Sequence, residues 1–174
     1  MGVINPIIDR AVLEKMKRYL KDRSPRNYLI FRIGLNFGLS VQELLLLRIE
    51  EIVDREVFIY RNCRVQIPES LQFEIKRYVG MTREGYLFSS AKEKPISRFQ
   101  LYFVLQKAAK AAGYKESIGA ITLRKTFAYW AYQEKTVHLP LLSKYLNHHT
   151  VEYTLKYLGI EEKEVPEELV SMDL

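Results

Sequence analysis

Cysteine is nearly absent from this chain: Cys63 stands alone among 174 residues, which excludes an internal disulfide and any cysteine-based zinc site. Histidine is scarce too, at three residues, and the adjacent His148 and His149 have no third ligand at zinc-site spacing. No apolar run approaches the roughly 18 residues that a membrane span needs, and no signal-peptide pattern opens the chain. The Met-Gly start does not satisfy the myristoylation pattern, because position 6 is proline. A Gly-rich phosphate loop, a dinucleotide fingerprint and a Ser-His-Asp spacing are all missing. No cofactor, metal, small-molecule substrate or membrane contact is therefore expected, and the expected compartment is the cytoplasm.

What is there is a globular composition, 48% hydrophobic and 28% charged, with enough chain to bury one core. Its net charge of +6 is unevenly spread. From Glu161 to Leu174 six acids face one base, so that segment carries −5 and the first 160 residues carry +11. We divide the chain accordingly into a domain over 1–160 and an acidic tail over 161–174. A basic body points to a polyanionic partner; the alternative is that its lysines and arginines only solvate the surface.

Hydrophobic periodicity predicts an α+β domain that is mainly helical. Val12, Leu13, Met16, Tyr19 and Leu20 fall at helical spacing after Asp9, a suitable N-cap. Ser24-Pro25 starts a second helix, which stops around 36–38. Ser40 and Glu43 form a capping-box pattern for a third over 41–47. Short β-branched and aromatic runs at 49–53, 57–60 and 65–67 predict a small antiparallel sheet, with a hairpin turning through 61–64. Residues 68–79 predict a helix and 85–88 a short strand. Ser97 and Gln100 form a second capping box, opening a helix over 98–112. Helices over 123–133 and 141–146, and a last one capped by Thr150, complete the domain. Trp130 is expected to pack rather than to stack on a base.

The stretch 118–160 carries the chemistry. Arg124 and Lys125 head an apolar-patterned helix, His148 sits in an Asn-His-His corner, and Tyr157 follows His148 by nine residues. A guanidinium clamps two phosphate oxygens bidentately. An imidazole adds a donor to an oxygen gaining charge. A phenolic oxygen can attack phosphorus and hold the covalent intermediate. The same residues admit a structural reading, since Tyr153 and Tyr157 are four apart, as packing residues on a helix are, and His148 can bond a helix end. His138 and His149 have no matching role.

Two segments, TLRKTFAYWAY and LLSKYLNHHTVEYTLKYLGI, resemble the C-terminal half of the tyrosine recombinase (phage integrase) catalytic domain. Upstream, YLIFRIGLNFGLSVQELLLLRIEEI is similar to that family's first conserved block, and KPISRFQLYFVLQKAAKAAGY to its middle helix. The blocks run in the right order over about residues 5–160, most like the short integrases without a separate N-terminal DNA-clamping domain. The resemblance implies the family's catalytic-domain fold and a role in DNA integration and site-specific recombination, in a phage or mobile element. It implies Tyr157 as nucleophile, with Arg124 and His148 as phosphate-binding catalytic residues. It places Lys125 and Arg98 at the DNA, with solvated surface as the alternative for Arg98, and leaves Arg61 or Arg64 on the hairpin able to touch a phosphate. The implied partner is double-stranded DNA, bound as a homo-oligomer or beside another recombinase.

Three departures from the family pattern weigh against full activity. Ser40 stands where the first catalytic arginine belongs, and Ile121 replaces the histidine of the His-x-x-Arg motif. The hairpin lysine that would protonate the leaving 5′ oxygen is also missing, because no lysine lies between Lys21 and Lys76. Losing one such stabilising donor costs about 2.7–4 kcal/mol in a transition state. Two losses, if additive, total on the order of 5–8 kcal/mol, a rate drop of roughly ten-thousand-fold or more. The leading expectation is a DNA-binding family member that is weak or inactive in strand exchange. A working strand transferase forming a 3′-phosphotyrosine at Tyr157 is the second reading. The third, motivated by the acidic tail, is an interaction module that regulates a full-length recombinase.

Overall fold

The computed structural model describes residues 4–90 and 93–160, and the tail expected at 161–174 lies outside the described residues. Helix α1 (Arg10–Lys21) starts where the Asp9 carboxylate accepts from the Ala11 and Val12 N–H groups, at 2.7 and 3.4 Å. It buries Leu13, Met16 and Leu20, all on one face. Helix α2 (Pro25–Phe37) takes Ser24 as its cap and proline in its first turn. Its Leu29, Ile30, Phe31, Ile33, Gly34 and Phe37 are buried, so α2 needs apolar cover around most of its circumference.

Helix α7 (Ala120–Gln133) supplies much of that cover at short range. A Cβ on Gly34 would fall 2.6 Å from Leu123 Cδ1, so a side chain there would push the two helices apart. At the end of α2, Gly38 turns left-handed at φ 53°, and a Cβ there would meet Phe127 Cδ1 at 2.1 Å.

Helix α3 (Val41–Leu46) carries both halves of the Ser40–Glu43 capping box. Residues 49–53, expected as a strand, instead begin with the one-turn helix α4 (Ile49–Ile52). The Glu51 carboxylate accepts from Arg48 N–H at 2.8 Å, and the buried pair Ile49 and Ile52 is spaced three apart, which suits a helical turn. Strands β1 (Val57–Tyr60) and β2 (Cys63–Gln66) then pair antiparallel, with Val57 opposite Gln66 and Tyr60 opposite Cys63. Arg61 and Asn62 between them take φ values of 50° and 60°, the left-handed pair that closes a two-residue hairpin.

Helix α5 (Glu69–Val79) follows Pro68 as the sequence predicts. Residues 85–88 do not form the expected strand. Tyr86 makes one isolated bridge to Arg48, with Ile49 N–H donating to Gly85 and Leu87 N–H to Leu47, and the ladder extends no further. Helix α6 (Arg98–Ala112) opens on the Ser97–Gln100 capping box and ends at left-handed Gly113. Helix α7 starts three residues before its expected head, where Thr122 Oγ1 accepts from Gly119 N–H, so Ile121 and Arg124 share one helix. Helix α8 (Leu139–Leu146) also starts early, with Pro140 in its first turn, and α9 (Val151–Leu158) is capped by Thr150.

The domain is α+β and mainly helical, with a small two-stranded antiparallel sheet among the described residues. No helix among them is long and apolar enough to cross a membrane. The main core gathers buried side chains from α1 to α6 with Ile118 and Leu123. A second cluster, built on Cys63, Ala128, Ala131, Leu142, Tyr145, Leu146 and Leu158, joins the hairpin to α7, α8 and α9. Tyr60, Phe127 and Tyr157 pack against it, so this cluster is the floor on which the candidate site stands.

Candidate active site

Arg124 sits in the second turn of α7, half-buried, and ties two helix ends together. Its guanidinium donates to Gly38 O at 2.5 Å and to Leu146 O at 2.8 Å. Those carbonyls end α2 and α8, where backbone acceptors lack intrahelical partners and the helix dipole favours a cation. A guanidinium has five N–H donors, so the two anchors fix the fork while others remain for a ligand.

His148 follows Asn147, whose left-handed φ of 59° ends α8 and swings the chain toward α9. Its Nδ1 lies 2.9 Å from Thr154 Oγ1, and that hydroxyl donates to Thr150 O at 3.3 Å. Where the Thr154 proton goes to that carbonyl, its oxygen accepts from Nδ1–H and Nε2 is left as an acceptor. The imidazole is held between two phenol rings, Tyr153 and Tyr157, each with its centroid 4.9 Å away. Burial and the Arg124 charge push the His148 pKa down, favouring the neutral ring.

Tyr157 completes the group. Its hydroxyl is enclosed and forms no hydrogen bond among the described residues. Burial pushes its pKa up to about 12; the nearby Arg124 guanidinium opposes that rise through its charge and its approach to the hydroxyl, and the Tyr153 hydroxyl adds to it. The Lys125 ammonium stands 4.9 Å from the Tyr157 ring centroid, and burial lowers its pKa. Two cations beside a buried neutral phenol favour loss of its proton, which the neutral imidazole can take up as the phenol oxygen attacks an electrophile.

The structure thus brings Arg124, Lys125, His148 and Tyr157 together. Ser40 caps α3, its Oγ accepting from Glu43 N–H at 3.3 Å, and carries no charge into the site. Ile121 is 42% exposed one turn before Arg124 and offers no polar atom. Arg98 lies exposed at the head of α6, 3.5 Å from Gln42 Oε1 and so beside α3. Arg64 is exposed on β2 opposite Ile59, with no hydrogen bond or ion pair to the group among the described residues. Trp130 donates to Ile7 O at 3.1 Å beneath the Arg10 guanidinium, a packing role rather than a base-stacking one.

Sequence reasoning missed a neighbouring network. Glu43 accepts from Ser40 N–H at 2.8 Å and from the Tyr60 hydroxyl at 2.7 Å, and pairs with Arg61 at 3.2 Å. Burial alone would raise its pKa, but hydrogen bonds from Ser40 and Tyr60 and the Arg61 charge outweigh that and bring it to about 2. The capping box was the visible signal for Glu43; nothing local in the sequence ties it to the hairpin seventeen residues on. Thr154, which orients His148, gave no signal beyond its place on an amphipathic helix.

Residues 7–164 match the family model described as the phage integrase family. A probable integrase/recombinase, YoeC of Bacillus subtilis (strain 168), is 36% identical over 170 residues, covering 93% of each chain. Among solved structures, the XerA recombinase superposes with a TM-score of 0.75 at 18% identity, over 94% of this chain and 62% of that one. The XerH site-specific recombinase, bound to palindromic difH substrate in a post-cleavage complex, gives 0.69 at 21% identity, over 92% and 51%. This chain therefore spans about half to two-thirds of the length of those two recombinases.

Proposed function

The chain belongs to the phage integrase family and has the fold of a tyrosine recombinase catalytic domain, and from that premise we propose that it binds double-stranded DNA in the cytoplasm but exchanges strands weakly or not at all. Arg124 and, once the phosphate's charge has protonated it, His148 hold a backbone phosphate near Tyr157, while Lys125, Arg98 and Arg64 add salt-dependent contacts to neighbouring phosphates. One observation carries the reading. The group keeps its nucleophile, clamp and imidazole together, but Ser40 is a helix cap and Ile121 an exposed hydrocarbon, so two polar contributions to the transition state are missing.

A second reading, a working strand transferase, is favoured by Lys125. Its ammonium lies over the Tyr157 ring, so a lysine reaches the nucleophile from α7 although the hairpin supplies none. Nicked duplexes drawn from DNA flanking the gene separate the two readings, because the leaving strand diffuses away and traps any phosphotyrosine. The expected result is binding that weakens steeply with salt, without a denaturant-resistant adduct. An adduct formed by the wild type and lost in Tyr157→Phe would establish the transferase instead. No duplex binding by the wild type would overturn both.

A further inference from the structure

We propose that the groove between the head of α2 and α5 is a second nucleic-acid site, one that takes an unpaired DNA strand by its bases and phosphates. It goes beyond the duplex-binding reading and does not depend on it. The groove has a volume of about 1050 Å³; Lys21, Arg26 and Tyr28 line one side of it, and Phe73, Arg77 and Tyr78 of α5 the other. Helix α2 separates it from the Arg124–Tyr157 group. Pro25, the first residue of α2, lines the groove, and the last precedes Gly38, whose carbonyl holds Arg124. Thirteen residues of helix lie between, a span of roughly 20 Å.

The groove's charge is what remains once its pairs are matched. Glu74 reaches the lining, but Arg32 meets it at 2.7 Å and the Tyr28 hydroxyl donates to it at 2.9 Å. Among the described residues Lys21, Arg26 and Arg77 form no ion pair, and Glu69 is the one other acid of the lining. Three cations thus face one carboxylate, which sits in the first turn of α5, where the helix dipole favours it. The Arg26 guanidinium is braced by Ser89 O and Asn27 Oδ1, at 3.3 Å each, and keeps further donors for a phosphate.

The rings decide which polyanion fits. Phe73 is 66% exposed on α5, one turn before Arg77, so most of its apolar surface stays in water in the folded chain. Tyr78 stands beside it on the same helix, close enough to Arg26 for that charge to oppose the rise that burial gives the phenol's pKa. Ring faces flanked by cations are what holds a single strand, because bases stack on the rings while the cations track the phosphates. A duplex keeps its base faces inside its own stack. An exposed phenylalanine between arginines therefore selects for bases that are free to stack.

The test measures binding of a labelled oligothymidylate of about eight nucleotides to the full chain, with and without saturating mixed-sequence duplex. Strand binding that persists beside the duplex is the expected result, whereas displacement would put the strand on the Arg124–Tyr157 site and overturn the proposal. Phe73→Ala removes a solvent-facing ring and should weaken strand binding about five-fold or more, with duplex affinity unchanged. Arg77→Gln should lower the slope of log strand affinity against log salt by about 0.7. Unchanged strand affinity in Phe73→Ala, or no strand binding by the wild type, would overturn the proposal. So would a polyglutamate peptide that competes as well as the strand, which would reduce the groove to a patch of charge. Thymidine monophosphate binding as tightly as the strand would assign the groove to free nucleotides instead. Loss of duplex binding with strand binding kept removes the duplex-binding reading alone, and the reverse removes this one alone.

Discussion

Among the described residues the buried Tyr157 hydroxyl has no hydrogen-bond partner, a cost that the folded chain carries. An unsatisfied buried donor destabilises by roughly 1–3 kcal/mol, and phenylalanine fills nearly the same space without the polar atom. Tyr157→Phe should therefore stabilise the protein by about 1 kcal/mol, raising the melting temperature by roughly 2–4 °C for a chain of this size. A thermal melt that falls instead would mean that the hydroxyl has a partner in solution. Arg124, His148 and Tyr157 were legible in the sequence because each is a chemically distinctive residue in a characteristic surrounding motif. Thr154 and Glu43 were not, since a threonine on a helix and a glutamate in a capping box are ordinary locally. Only tertiary neighbours reveal that one bonds the His148 imidazole and the other pairs with the hairpin arginine.

Elements bring these residues together, and the C-terminus of α2 matters most. Gly38 is left-handed, a Cβ there would meet Phe127 at 2.1 Å, and its carbonyl holds Arg124 at 2.5 Å. Gly38→Ala should cost more than about 2 kcal/mol, the left-handed strain and the clash acting together. It should also weaken duplex binding by more than Ser40→Ala, which removes only a helix cap worth about 1 kcal/mol. Chemical denaturation and binding titrations on both variants check this; a Gly38→Ala protein as stable as wild type would show that α2 and α7 can part without loss. Element boundaries followed the same logic of local signals. Asp9, Ser24, Ser40, Ser97 and Thr150 announced their helices because a cap is a contact within three residues. Residues 49–53 and 85–88 misled because a short β-branched or aromatic run has no period to read, and its form depends on partners elsewhere in the chain.

At the scale of the whole molecule, charge sets how the domain meets a polyanion. The first 160 residues carry +11 and residues 161–174 carry −5, so the tail offsets nearly half of the domain's net charge. Exposed charges act over about a Debye length, roughly 30 Å at 0.01 M salt and 8 Å at physiological ionic strength. A chain ending at residue 160 should accordingly bind a mixed-sequence duplex more tightly than the full chain, with the gap widest at low salt and closing as salt rises. That pattern would make the tail a purely electrostatic brake on non-specific binding. Weaker binding by the shortened chain would instead assign the tail a share in assembly on DNA, because losing five negative charges can only favour the electrostatic part of the association. Affinities measured at two salt concentrations, on one duplex, separate the two outcomes.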